Sequence, residues 1–176
     1  MAKIKVGIAG AGQMGQAIAW AMQELGYNLV ILDQQETSLY KCQKLLSSSS
    51  KHKFVRSTLF NCLQDCDIVI SSLPYHQNLS LARFCISEGI TYCDLGGNIE
   101  TSRSINHFGE HQTTNVIMTD LGLAPGWANI IAENMYQEYI SKHDKPPHNI
   151  QMMVGGLPQH PNNTLRYSCT WSYDGL

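Results

Sequence analysis

A short apolar run, Ile4-Lys5-Val6-Gly7-Ile8-Ala9, leads into Gly10-Ala11-Gly12-Gln13-Met14-Gly15 and then into Gln16-Ala17-Ile18-Ala19-Trp20-Ala21-Met22. This is a strand, a Gly-x-Gly-x-x-Gly turn and a helix in immediate succession. In that order, Gly10 permits the tight turn and Gly12 lets the backbone approach a pyrophosphate. Gly15 lets the helix pack close to the strand. The backbone of Gln13 and Met14 then sits at a helix amino end, which suits an anion. The motif alone is weak evidence, because glycine-rich turns are common.

Asp33 strengthens it. The helix ends near Gly26, and Asn28-Leu29-Val30-Ile31-Leu32 reads as a buried parallel strand with Asp33 at its end. An acid about 20 residues beyond the glycines is where adenosine ribose hydroxyls are held. A carboxylate there favours NAD and repels the 2′-phosphate of NADP. Gln34 and Gln35 follow, and no arginine is expected there to receive that phosphate. The competing reading makes Asp33 a cap for the loop or the next helix.

Strand-like and helix-like segments continue to alternate, which predicts a doubly wound parallel α/β sheet of the Rossmann type. Strands are expected at 52–55, 67–72, 90–93 and 116–118, and helices at 38–46, 59–63, 79–87, from Asn98 or Thr101, and 127–139. The run Ser47–Ser50 is a loop. Lys142–Pro147 is polar with paired prolines, so a dinucleotide-binding domain over residues 1–145 and the start of a second, α+β domain over 146–176 are expected. Ile150–Val154 reads as a strand opening that second domain, in which Gly155-Gly156 would mark a bulge.

Several function classes fall away. With 43% hydrophobic and 15% charged residues a sizeable core is within reach. A formal net charge of −2 gives no general attraction to nucleic acid or to an anionic membrane surface. The nearest basic cluster is only Lys51-His52-Lys53 with Arg56. No apolar run reaches the roughly 18–20 residues that span a bilayer. Six cysteines without a C-x-x-C pair fit reduced thiols and a cytoplasmic setting, with Cys85 and Cys93 as core residues. The sequons at Asn78 and Asn162 are then incidental.

Two further segments carry a resemblance. Asp120-Leu121-Gly122-Leu123-Ala124-Pro125-Gly126-Trp127-Ala128-Asn129 and Val154-Gly155-Gly156-Leu157-Pro158, the latter followed by Pro161, Leu165, Tyr167 and Thr170-Trp171-Ser172, resemble the saccharopine dehydrogenase-like family. Within it the second segment is most similar to the L-lysine 6-dehydrogenase branch. The resemblance covers essentially the whole chain. It implies a dinucleotide-binding domain, a second domain on a mixed sheet, and NAD(P)-dependent oxidation or reduction of an amino-acid C–N bond through an imine. The partner implied is a small amino-acid substrate, and a homodimer through the second domain is left open. Saccharopine-forming reductases resemble Gly-Leu-Asp-Pro-Gly where this chain has Ala124, a departure that favours the lysine 6-dehydrogenase-like branch. A non-catalytic dinucleotide-binding module and a hydroxy-acid dehydrogenase are the alternatives.

Ligands in open α/β sheets lie beyond the carboxyl ends of the strands. This places Leu73 and Pro74 against the cofactor, although Pro74 equally suits a simple strand end. Amine oxidation benefits from a base, and Asp94, Asp120 and His76 are the candidates. Each has a structural or loop-capping alternative. His107-Phe108-Gly109-Glu110-His111 matches the inverted zinc-protease pattern H-x-x-E-H. Gly109 weakens that helix and no third ligand stands out, so no metal is expected. Trp127, Ile130, Ile131 and Met135 have helical spacing, which predicts core packing.

Overall fold

The computed structural model describes residues 4–46, 51–110, 115–156, 160 and 162–164. The loop assigned to Ser47–Ser50, His111, Cys169 and the resemblance residues Leu157, Pro158, Pro161, Leu165, Tyr167 and Thr170–Ser172 lie outside them.

The chain divides into two compact units, Met1–Gly122 and Leu123–Leu176. The first opens with β1 (Lys5–Ala9), α1 (Gln13–Glu24), β2 (Asn28–Asp33), α2 (Glu36–Leu45) and β3 (Lys53–Arg56). A 3-10 turn at Phe60–Leu63 leads to β4 (Ile68–Ser71), α3 (Tyr75–Glu88), β5 (Thr91–Asp94), α4 (Ile99–Gly109) and β6 (Ile117–Met118). All six strands are parallel, in the order β3-β2-β1-β4-β5-β6. The chain therefore winds outward from β1 in one direction and from β4 in the other. The carboxyl ends of β1 and β4 are where the winding reverses.

Strand periodicity builds the core on both faces. Leu29 and Ile31 of β2 join Val6, Ile8, Ala19, Leu39 and Cys42, the cluster under α1 and α2. Their neighbours Val30 and Leu32 join Leu81, Ala82, Cys85, Tyr92 and Ile105, the cluster under α3 and α4. Each fully buried Leu or Ile stabilises the sheet by about 1.5–3 kcal/mol. That is why β2 reads as an unbroken apolar run rather than an alternating one.

The termini of the helices follow local chemistry. The Asn98 side chain accepts a hydrogen bond from the Thr101 N–H at 2.9 Å and so starts α4. Gly89, at φ 70°, closes α3 in the left-handed conformation. The expected start of α3 at Leu79 moves four residues earlier. Pro74 immediately precedes its first residue, and the Gln77 N–H already bonds the Pro74 carbonyl at 2.9 Å.

The second unit contains α5 (Trp127–His143), which the sequence grouped with the first domain. No described residue from 149 to 156 lies in a strand, so the strand expected at Ile150–Val154 is not formed and Gly155-Gly156 is no bulge. A strand exists only through a ladder, and Ile150–Val154 carries no strand assignment. The core packing expected of Trp127, Ile130, Ile131 and Met135 is also corrected, since they are 57%, 59%, 41% and 62% exposed. An open apolar groove of about 360 Å³ runs between α5 and Met152–Gly155, and no titratable side chain lines it.

Candidate dinucleotide site

The glycine turn is built as its spacing predicts. Gly10 has φ +97°, a conformation that side-chain-bearing residues rarely adopt. Its N–H bonds the Leu32 carbonyl at 2.8 Å, and the Ser72 hydroxyl lies 2.9 Å from its own carbonyl. At Gly15 an added Cβ would come within 1.9 Å of that carbonyl oxygen. The absent side chain thus lets α1 seat directly on the end of β1. At Gly12 a Cβ would meet no protein atom within 4 Å. Its absence bares backbone on the solvent side, where a pyrophosphate approaches in such folds. Gly12, Gln13 and Met14 are exposed while Gly10 and Gly15 are buried, which separates solvent-facing from packing positions. No side chain caps α1 and no acid lies in its first turn, so nothing on the helix competes with an anion there.

Asp33 does two things at once. One carboxylate oxygen accepts from the Ala11 N–H and the other from the Gln35 N–H, both at 2.7 Å. The acid therefore ties the glycine turn to the end of β2 and caps the approach to α2. Each oxygen keeps a second acceptor site, so the geometry accommodates ribose hydroxyls as well. The two readings of Asp33 do not exclude one another.

Arg56 went unread as part of this site. The parallel register sets it against Asp33. Its Nε–H bonds the Gln34 carbonyl at 3.3 Å, and its Nη1 meets Glu36 Oε2 at 3.2 Å. The expectation that no arginine serves this end of the site is thus corrected. The residues following Asp33 contain none, but the neighbouring strand supplies one. Its signal was the position at the end of β3, which means nothing until the strand order is known.

On the other side of the reversal, Leu73 is half-buried and Pro74 exposed at the entrance to α3. His76 is exposed in the first turn of that helix, its ring edge-on to Tyr75 at 5.9 Å between centroids. Asp94 is 1% exposed. Its carboxylate accepts from the Tyr92 hydroxyl at 2.9 Å, the Gly96 N–H at 2.8 Å and the Asp120 N–H at 3.0 Å. Asp120 stands at φ 62° and accepts from the Ser102 hydroxyl of α4 at 2.9 Å. The Leu121 N–H bonds the Asp94 carbonyl at 2.8 Å. The two expected acids come together, as a brace between the loops after β5 and β6. Burial, and next the Asp94 charge, push the Tyr92 phenol well above its usual range, which keeps it a hydrogen-bond donor to Asp94.

Of the H-x-x-E-H segment, His107 and Gly109 lie in α4, and His107 Nδ1 is 3.6 Å from Glu110 Oε2 on an exposed surface. Among the described residues no three His, Cys, Asp or Glu side chains form a metal-binding group. No helix among them is long and apolar enough to cross a membrane.

Comparisons with known proteins agree with this geometry. The family model described as the saccharopine dehydrogenase NADP binding domain matches residues 6–121. The apo saccharopine dehydrogenase (L-Glu forming) of Saccharomyces cerevisiae superposes with a TM-score of 0.71 at 19% identity, over 98% of this chain and 39% of that one. The WlbA dehydrogenase of Chromobacterium violaceum, solved with NADH and UDP-GlcNAcA, gives 0.59 at 14% identity, over 77% and 40%. The myo-inositol 2-dehydrogenase of Lactobacillus plantarum gives 0.59 at 12% identity, over 81% and 42%. At such identities the likeness establishes the Rossmann-like fold, and the chain spans about two fifths of each structure's length. The family match runs from within β1 past β6 and includes the whole glycine turn, and by it the chain belongs to the saccharopine dehydrogenase NADP-binding domain family, as a dinucleotide-binding dehydrogenase domain.

Proposed function

We propose that this chain is the NAD-binding part of an oxidoreductase acting on the C–N bond of an amino acid, nearest in kind to the L-lysine 6-dehydrogenase branch. The observation that carries the cofactor reading is the Asp33 carboxylate, held by Ala11 N–H at 2.7 Å at the lip of the glycine turn. A carboxylate so fixed accepts from ribose hydroxyls and opposes a 2′-phosphate. The C–N reading rests on family membership and on Ala124 in place of the acid that marks saccharopine-forming reductases. Nicotinamide, when bound, supplies the hydride acceptor or donor. Gly12, Gln13 and Met14 hold the pyrophosphate, and Leu73 and Pro74 border the nicotinamide half. Among the three candidate bases we assign proton exchange to exposed His76. Asp94 and Asp120 are positioning residues, because their carboxylates already serve protein donors.

A cytoplasmic enzyme with a small amino-acid substrate, dimeric through its second domain, completes the reading. The test is a panel of amino and hydroxy acids with NAD and NADP, followed by reduced-nicotinamide absorbance. Turnover of an amino acid supports the proposal, and turnover confined to hydroxy acids overturns it. A second reading, a non-catalytic dinucleotide-binding module, is favoured by the engagement of Asp94 and Asp120 in bracing. It gains if NAD binds tightly and none of these substrates turns over.

A further inference from the structure

The ends of β2 and β3 and the start of α2 bring together three charges, Asp33, Glu36 and the sequence-distant Arg56. Arg56 lies in register with Asp33, and the Ser57 N–H bonds the Asp33 carbonyl at 3.1 Å. The guanidinium is drawn along the residues that follow Asp33, bonded to the Gln34 carbonyl and ion-paired with Glu36 at 3.2 Å. In dinucleotide folds a nearby arginine is what accommodates the 2′-phosphate of NADP. Here such a cation is in place, with an acid clasping it. Glu36 neutralises Arg56 and so withholds the guanidinium charge from an incoming phosphate dianion. We propose that Glu36 is a specificity-determining residue, which keeps the site with NAD by holding Arg56 in an ion pair instead of leaving it to a 2′-phosphate.

The inference rests on the NAD-site reading given above. Its size is set by exposure. Arg56 and Glu36 side chains are 65% and 78% exposed, so solvent screens the pair and the effect is modest. Glu36→Gln preserves the shape and removes the charge. Isothermal titration of the chain should show NADP binding roughly fivefold tighter in Glu36→Gln, while NAD changes by less than about twofold. The gain should shrink as salt is raised past about 0.5 M, because the charges are exposed. Adding Arg56→Met should abolish it. A purely structural role for Glu36 at the start of α2 would move both cofactors alike. An NADP affinity unchanged by Glu36→Gln, or a gain that survives Arg56→Met, overturns the proposal. The underlying reading fails separately, if the wild-type chain does not bind NAD or if Asp33→Ala leaves NAD binding intact.

Discussion

The Ala11 N–H, at the centre of the glycine turn, donates to the Asp33 carboxylate 22 residues away, at 2.7 Å. This bond joins the glycine turn, assigned above to the pyrophosphate, to the strand that presents Asp33, the acid proposed for the ribose. Pyrophosphate and ribose positions are thereby set against each other before any ligand arrives, which reduces the ordering that binding must impose.

Asp33→Ala removes both the clamp and the ribose acceptor. NAD affinity should fall by about 10- to 100-fold, the equivalent of one or two charge-assisted hydrogen bonds. Asp33→Asn should fall between the two, since its amide oxygen still accepts from one N–H. Titration calorimetry on the three proteins decides it, and equal affinities would remove Asp33 from the site.

Two glycines in the same turn should respond in opposite ways. Gly15→Ala drives a Cβ to 1.9 Å from the Gly10 carbonyl oxygen. Relief requires α1 to shift, at a cost of about 3 kcal/mol or more. Gly12→Ala meets nothing within 4 Å, so urea unfolding should stay within about 0.5 kcal/mol of wild type, while NAD affinity drops because the methyl occupies the approach to the backbone. A Gly12→Ala chain that binds NAD normally would refute this division of roles.

What could be read from the chain, and what could not, follows from sequence separation. Gly10, Gly12, Gly15 and Asp33 belong to one strand-turn-helix-strand unit, and their roles follow from spacing. Arg56 joins them only through the β3–β2 register, which no local pattern encodes, so it was read as part of a basic cluster. Asp94 and Asp120 were legible as strand-end acids. Their mutual brace was not, because it depends on the left-handed backbone of Asp120 and on the hydroxyls of Tyr92 and Ser102. Ile150–Val154 has a strand's composition, but strand status is a property of a pair, and the segment carries no strand assignment.

Asp94→Asn tests the brace. The wild-type carboxylate accepts from three donors in a buried setting. An asparagine amide turns one oxygen into an NH2 group facing a donor, leaving unsatisfied buried groups at about 1–3 kcal/mol each. The variant should lose about 2–4 kcal/mol in urea unfolding. If catalysis needs the loops after β5 and β6 held together, kcat should fall without the loss of a titrating limb from the pH profile. Loss of a limb would instead make Asp94 the base. An unaltered stability would show that the brace contributes little.

Buried thiols give the protein an alkaline weakness. Burial, the largest influence on each, raises Cys42 and Cys66 to about 11 and Cys85 to about 12, from an ordinary value of 9.0. The folded state holds these protons more tightly than the unfolded chain does. Their stabilisation is therefore complete below pH 9.0 and is lost as pH rises through about 11 to 12. Within that window each thiol removes about 1.4 kcal/mol per pH unit, and the raised Tyr92 phenol acts in the same direction. Urea midpoints should be nearly flat from about pH 7 to 8.5 and fall steeply above about pH 9.5. Cys85→Ala lowers stability throughout by opening a cavity, but its decline with pH should be shallower than that of wild type. Parallel curves for the two proteins would mean that another group governs the alkaline limb.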